Sequence, residues 1–186
     1  MRTNALIVTT LMASWLGMQL VHELGHVVAA YATGGAVERV VLYPLQLSRT
    51  DFKSNPRPLA VVWAGPAGGA AIPLLVWALS LGARASLSYL ARFFAGFCLV
   101  ANGAYIGAGA FGAIGDGATM LAHGAPGWAL CLFALLTVPL GFFLWHGEGA
   151  HFGLGPAARE VSDEALAVTS AACVILIAIG CATPRG

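Results

Sequence analysis

Five apolar runs dominate the pattern along the chain: Ala5 to Ala32, Leu59 to Leu81, Phe93 to Ile114, Gly127 to Trp145 and Ala165 to Cys181. Each approaches or exceeds the roughly 20 residues that a helix needs to cross a hydrocarbon core about 30 Å thick. The pattern predicts an all-α polytopic membrane protein with about five transmembrane helices. Pro73 and Pro139 fall inside two of the runs, which membrane helices tolerate when neighbours satisfy the freed backbone groups.

The longest polar stretch, Thr33 to Pro58, separates the first two runs; it opens with Gly34-Gly35 and closes with Asn55-Pro56-Arg57-Pro58. Within it Val37 to Tyr43 is rich in β-branched residues and Leu45 to Thr50 alternates apolar with polar. This predicts a short membrane-associated β-hairpin after the first helix, with an ordinary loop as the alternative. Glycine concentrates at Gly65 to Gly69 and Gly103 to Gly117. The first cluster suits close helix approach. The second is dense enough, at up to about 1 kcal/mol per glycine relative to alanine, to predict a broken or partly unwound third span facing a polar interior.

Composition agrees with a membrane domain: 186 residues, 59% hydrophobic, 9% charged, mean hydropathy +0.81. A single domain over residues 1–186 is expected, with a core at 5–123 and additional helices at 127–181. The net charge of +1 and the lack of a basic stripe exclude a nucleic-acid footprint. Cys98, Cys131, Cys173 and Cys181 lie in or beside apolar runs without close pairing, so they read as packing residues. The first run exceeds the apolar part of a signal peptide and is expected to stay in the membrane. The first loop collects Arg39, Arg49, Lys53 and Arg57, on the same side as Arg185, against Arg2, Arg84, Arg92 and Arg159 opposite; this tips that loop towards the cytoplasm.

One segment breaks the apolar logic. His22-Glu23-Leu24-Gly25-His26 sits inside the first run, and ionisable groups within a span are expensive and mark functional sites. Residues four apart share a helix face, so His22 and His26 can reach one ion. In H-E-x-x-H arrangements two neutral imidazoles hold zinc and the glutamate is general base towards water, whose pKa falls to about 7. Catalytic zinc takes three protein ligands and leaves one position open. Asp116, in Gly115-Asp116-Gly117, is the only other acidic residue within or at the end of an apolar run, and is the expected third ligand. The alternative is an N-cap for a helix beginning at Ala118. The first and third spans run the same way through the bilayer, so their groups can meet provided the Gly-rich stretch bends or stops short.

Other polar positions carry weaker signals. Asn102 either bridges two helices or meets substrate, the bridge being favoured. His146, Glu148 and His151 read as a solvated turn, and His123 as a turn residue.

These residues resemble the site-2 protease family of intramembrane zinc metalloproteases, particularly small bacterial members without a PDZ domain. The resemblance is carried by His22 to His26, Thr33-Gly34-Gly35, the strand from Val37, Ala64-Gly65-Pro66 and Asp116-Gly117. It implies one Zn2+ ion held by His22, His26 and Asp116, with Glu23 as the catalytic base. It further implies single-pass membrane proteins as substrates and a multi-pass protein of the bacterial inner membrane with its site towards the cytoplasm. Two positions depart from the family pattern: no Asn-x-x-Pro-x-Pro precedes Asp116, and Ala67, Gly68 and Gly69 stand where many members have asparagine. Two rival readings remain on the sequence. One is a membrane protease whose third ligand is Glu148 or Glu160. The other is a non-catalytic zinc-binding protein, either a regulator holding a partner helix or a metal transporter.

Overall fold

The structure, a computed structural model, describes residues 1–112 and 114–184; Arg185 lies outside the described residues. Among the described residues, five helices are long and apolar enough to cross a membrane: α1 (Arg2–Ala32), α2 (Pro58–Gly82), α3 (Ser88–Gly112), α5 (Gly127–Trp145) and α6 (Asp163–Ala182). The eight-residue α4 (Gly115–Ala122) follows α3, and a 3-10 turn spans Glu148–Phe152. The protein is an integral multi-pass membrane protein. Both α2 and α5 continue through their internal prolines.

The long helices alternate in direction. Leu6, Tyr89, Phe152, Val161 and Ala165 cluster at one end of the bundle, while Val62, Ile106, Met120, Ala125 and Leu130 cluster at the other. Between them Ala70, Ala95, Leu99 and Leu144 join α2, α3 and α5. Helices α1, α2 and α3 pack on one another, α6 lies against α1 and α5 against α3. Two polar contacts fasten α6 to α1: the Thr9 and Thr169 hydroxyls lie 2.8 Å apart, and Cys173 Sγ donates to Thr9 O at 3.1 Å.

The Gly-rich third span is broken as expected, between α3 and α4, but only at its end. It is helical through Gly112 rather than unwound. Its glycines are spent on packing: a Cβ at Gly103 would overlap the Thr137 side chain and crowd Val138, and one at Gly107 would crowd Ala134. Removing side chains from this face lets α3 and α5 touch along their length, which compensates for the poor helix propensity of glycine. Helix α3 ends at Gly112, and α4 lies back on it so that Gly117 sits on the backbone of Gly109.

The hairpin is present but shifted. Strand β1 (Ala36–Val41) pairs antiparallel with β2 (Arg49–Ser54), whereas Leu45 to Thr50 was the expected second strand. Leu45 and Leu47 instead sit exposed in the connection, an apolar tip that suits lipid. Tertiary contacts fix the register: Ser48 N–H donates to Gln19 Oε1 on α1 at 3.0 Å, and Leu42 N–H donates to Thr183 Oγ1 beyond α6 at 3.0 Å. Across the strands Arg39 Nε meets Asp51 Oδ2 at 2.6 Å. That hydrogen bond, with the Arg39 charge and Arg49 nearby, outweighs partial desolvation and holds the Asp51 carboxyl below its usual range.

At the far end Glu148 is buried, not solvated as the sequence suggested. Its Oε1 accepts from Arg92 Nη1 at 2.8 Å, and His151 stacks on Tyr89 with ring centroids 4.5 Å apart. Burial pushes the Glu148 carboxyl up, against the pull of Arg92. Arg92 Nε and Glu148 Oε2 are buried without partners, so the pair is imperfectly satisfied. Breaking it by Arg92→Met is expected to destabilise the protein by about 2–3 kcal/mol, and the double change Arg92→Met/Glu148→Met to recover most of that loss; unfolding in detergent checks both.

Candidate metal centre

Helix α1 presents Gln19, His22, Glu23, His26 and Ala30 as one buried line. The spacing of three and four follows the helical repeat, so the sequence itself aims the imidazoles at α2 and α3. Helix α2 comes close enough to receive them because residue 65 is glycine: a Cβ there would overlap the His26 ring and stand 2.9 Å from His22 Nε2.

The ring orientations are set from behind. His26 Nδ1 lies 2.8 Å from Val61 O. A carbonyl only accepts, so Nδ1 carries the hydrogen and Nε2 keeps its lone pair. His22 Nδ1 lies 2.6 Å from Asn102 Oδ1, and Asn102 Nδ2 donates to Cys98 O at 2.8 Å. The amide therefore turns its oxygen to His22, which again leaves Nε2 free.

Asp116 completes the set. It stands in the first turn of α4, whose N-cap is Ile114, so it is not the cap of a later helix. Instead Asp116 Oδ2 lies 2.8 Å from His22 Nε2 and 3.3 Å from His26 Nε2, and the two nitrogens are 3.1 Å apart. The short helix α4 allows this meeting: α3 ends at Gly112 and α4, packed back on Gly109, carries the carboxylate to the histidines.

Three lone-pair donors facing one another at these distances repel unless a cation sits among them. Tetrahedral zinc with bonds of about 2.0–2.1 Å requires ligand atoms roughly 3.3 Å apart, close to the three separations found. The donor set fits a divalent metal, and the three residues form a group able to hold one. Glu23 stays outside the triangle; its Oε2 accepts from Thr50 Oγ1 of β2 at 2.7 Å. His22, Glu23 and His26 are 7%, 3% and 5% exposed, and the Asp116 side chain 20%.

With this geometry in place, the profile of a family described as Peptidase M50B-like matches residues 5–144. The chain belongs to that family. It is therefore a membrane metallopeptidase of the site-2 protease group. Comparison with curated proteins and with solved structures finds no match. The M50B match reaches from α1 through nearly all of α5 and so contains every residue of the donor set.

The structure brings together His22, His26 and Asp116, with Glu23 beside them. Glu148 and Glu160 lie at the opposite end of the bundle, among the loops around Phe152 and Val161. That removes the rival third ligand. Asn102 does bridge helices, but its partner is the His22 imidazole of the candidate donor set. Thr50 and Tyr105, which touches both His22 and Asp116, were missed. Tyr105 could have been found from its helical spacing to Asn102; Thr50 has no comparable signal, because its position depends on the hairpin register.

Outer-sphere groups of this kind are worth about 10–100-fold in metal affinity. Asn102→Ala is expected to weaken zinc binding by that factor while preserving the helical spectrum, read by chelator competition. Gly65→Ala, which intrudes on the rings directly, is expected to lower bound zinc per protein, measured by elemental analysis.

Proposed function

We propose that this membrane metallopeptidase is an intramembrane zinc endopeptidase that hydrolyses peptide bonds within or near the transmembrane segments of single-pass membrane proteins. The observation that carries the reading is the convergence of His22 Nε2, His26 Nε2 and Asp116 Oδ2 beside Glu23, inside spans long enough to cross a bilayer. At 1.5 Å per residue, His22 and His26 lie roughly 9–15 Å short of the end of α1 at Ala32. The chemistry belongs within one leaflet.

His22, His26 and Asp116 would hold the ion. A zinc ion so bound supplies Lewis-acid polarisation of the scissile carbonyl and makes water a usable nucleophile at neutral pH. Glu23 takes a proton from the attacking water and returns it to the leaving nitrogen. The Thr50 hydroxyl fixes Oε2 of Glu23, leaving Oε1 without a partner among the described residues.

A peptide bond inside a helix has its carbonyl hydrogen-bonded, so the substrate must open locally. The two-stranded hairpin leaves one edge of each strand unpaired, and β2 is the strand tied to Glu23. An opened segment can pair with that edge as an added strand, which presents successive carbonyls to the site. The positive charge collected on the hairpin side supports a cytoplasmic orientation of this end, and the family resemblance favours a bacterial inner membrane.

Cleavage of a tagged single-pass protein co-expressed with the enzyme tests the reading. Glu23→Gln is expected to reduce cleavage by about 10²–10⁴-fold with zinc content unchanged, whereas His22→Ala loses zinc and cleavage together. Cleavage by Glu23→Gln at the wild-type rate would remove the assigned base.

A further inference from the structure

Tyr105 stands on α3, 11 residues before Asp116. Its ring meets the His22 ring edge-on, with centroids 6.0 Å apart, and its Oη accepts the Asp116 N–H at 3.0 Å. The turn is shaped around that oxygen. Gly115 has φ +55, a left-handed conformation that glycine adopts without strain, and any Cβ at this position would overlap the phenol.

Two features separate Tyr105 from a purely structural anchor. As an acceptor from Asp116 it uses a lone pair, so its own O–H hydrogen is uncommitted among the described residues. A donor left unspent at membrane depth is costly unless something accepts from it. Location is the second feature. His22, Glu23 and His26 are sealed by protein, while Tyr105 is 42% exposed and borders Asp116, whose side chain is 20% exposed, so the phenol adjoins the most accessible member of the donor set. A carbonyl approaching from the Asp116 side passes it.

We infer that Tyr105 is a further catalytic residue, donating its O–H to the carbonyl oxygen of the scissile peptide as that oxygen gains charge. This rests on the peptidase reading above. The water oxygen bonds to the carbonyl carbon, one water proton passes to Glu23, and the carbonyl π pair moves onto the oxygen, where the phenol hydrogen meets it. On collapse the pair returns to the carbon–oxygen bond and the carbon–nitrogen bond breaks. The nitrogen takes the proton held by Glu23, and the other water proton leaves the new carboxyl group to solvent. Tyr105 keeps its proton throughout, so its contribution is a hydrogen bond that strengthens in the transition state.

The test is Tyr105→Phe, which preserves the ring against His22 and removes the hydroxyl. Three quantities are measured: bound zinc, the kinetics of single-pass substrate cleavage, and the affinity for a Leu–Leu dipeptide with a phosphinate in place of the peptide group. Expected are unchanged zinc, a KM within about twofold, a kcat lower by about 10²-fold and phosphinate binding weaker by at least about tenfold. A wild-type kcat overturns the inference. So does a loss of zinc that runs parallel with the loss of kcat, because Tyr105 would then only support the Asp116 turn. A wild-type protein that holds zinc yet neither cleaves substrate nor binds the phosphinate overturns the peptidase reading itself, and this assignment with it.

Discussion

Everything in this protein is arranged around an electrostatic conflict. Val61 O and Asn102 Oδ1 hold the Nδ1 hydrogens of the two histidines. Both Nε2 lone pairs must then point inward, onto each other and onto the carboxylate of Asp116. Such a cluster is unfavourable in water and far more so at membrane depth, where charge is poorly screened. A divalent cation converts the same three contacts from repulsive to strongly attractive. The scaffold prepares this arrangement from behind, through hydrogen bonds on the far side of each ring.

The scaffold is built largely from the absence of side chains. Without a Cβ at Gly65 the imidazoles have room on α2; the same absence at Gly69 makes room for the Asn102 amide, and at Gly109 and Gly117 it lets α4 lie on α3. In a membrane the apolar solvent gives helices little reason to associate, and close backbone approach supplies much of the attraction. The glycines that weaken α3 as an isolated helix are therefore the ones that bind it to its neighbours.

This explains which parts were legible in the sequence. The five spans follow from hydropathy alone, since a continuous apolar run has few alternatives. His22 and His26 were legible because i and i+4 fix a shared face whatever surrounds them, and Asp116 because carboxylates are so rare at these positions. The break within Gly103 to Gly117 was legible, but the continuous helix over Gly103 to Gly112 was not, because propensity describes a helix by itself and the partner α5 decides the outcome. Strand β2 was misplaced for a similar reason. The alternating Leu45 to Thr50 segment fits a strand equally well, and only Gln19 and Thr183, distant in sequence, choose between the registers. Thr50, which the shift brings to Glu23, was hidden by the same ambiguity, and the burial of Glu148 depended on an arginine 56 positions earlier, Arg92.

The dry half of the bundle has its own consequence. Between the donor triangle and the opposite face lie the apolar layer of Ala70, Ala95, Leu99 and Leu144 and then the packed cluster of Leu6, Tyr89, Phe152, Val161 and Ala165. Hydrolysis needs a supply of water, and a wet passage through the whole thickness would short-circuit the ion gradients that a living membrane maintains. On the reading proposed above, water would reach the His22, His26 and Asp116 cluster from the hairpin end alone, and these apolar layers would keep the barrier electrically tight.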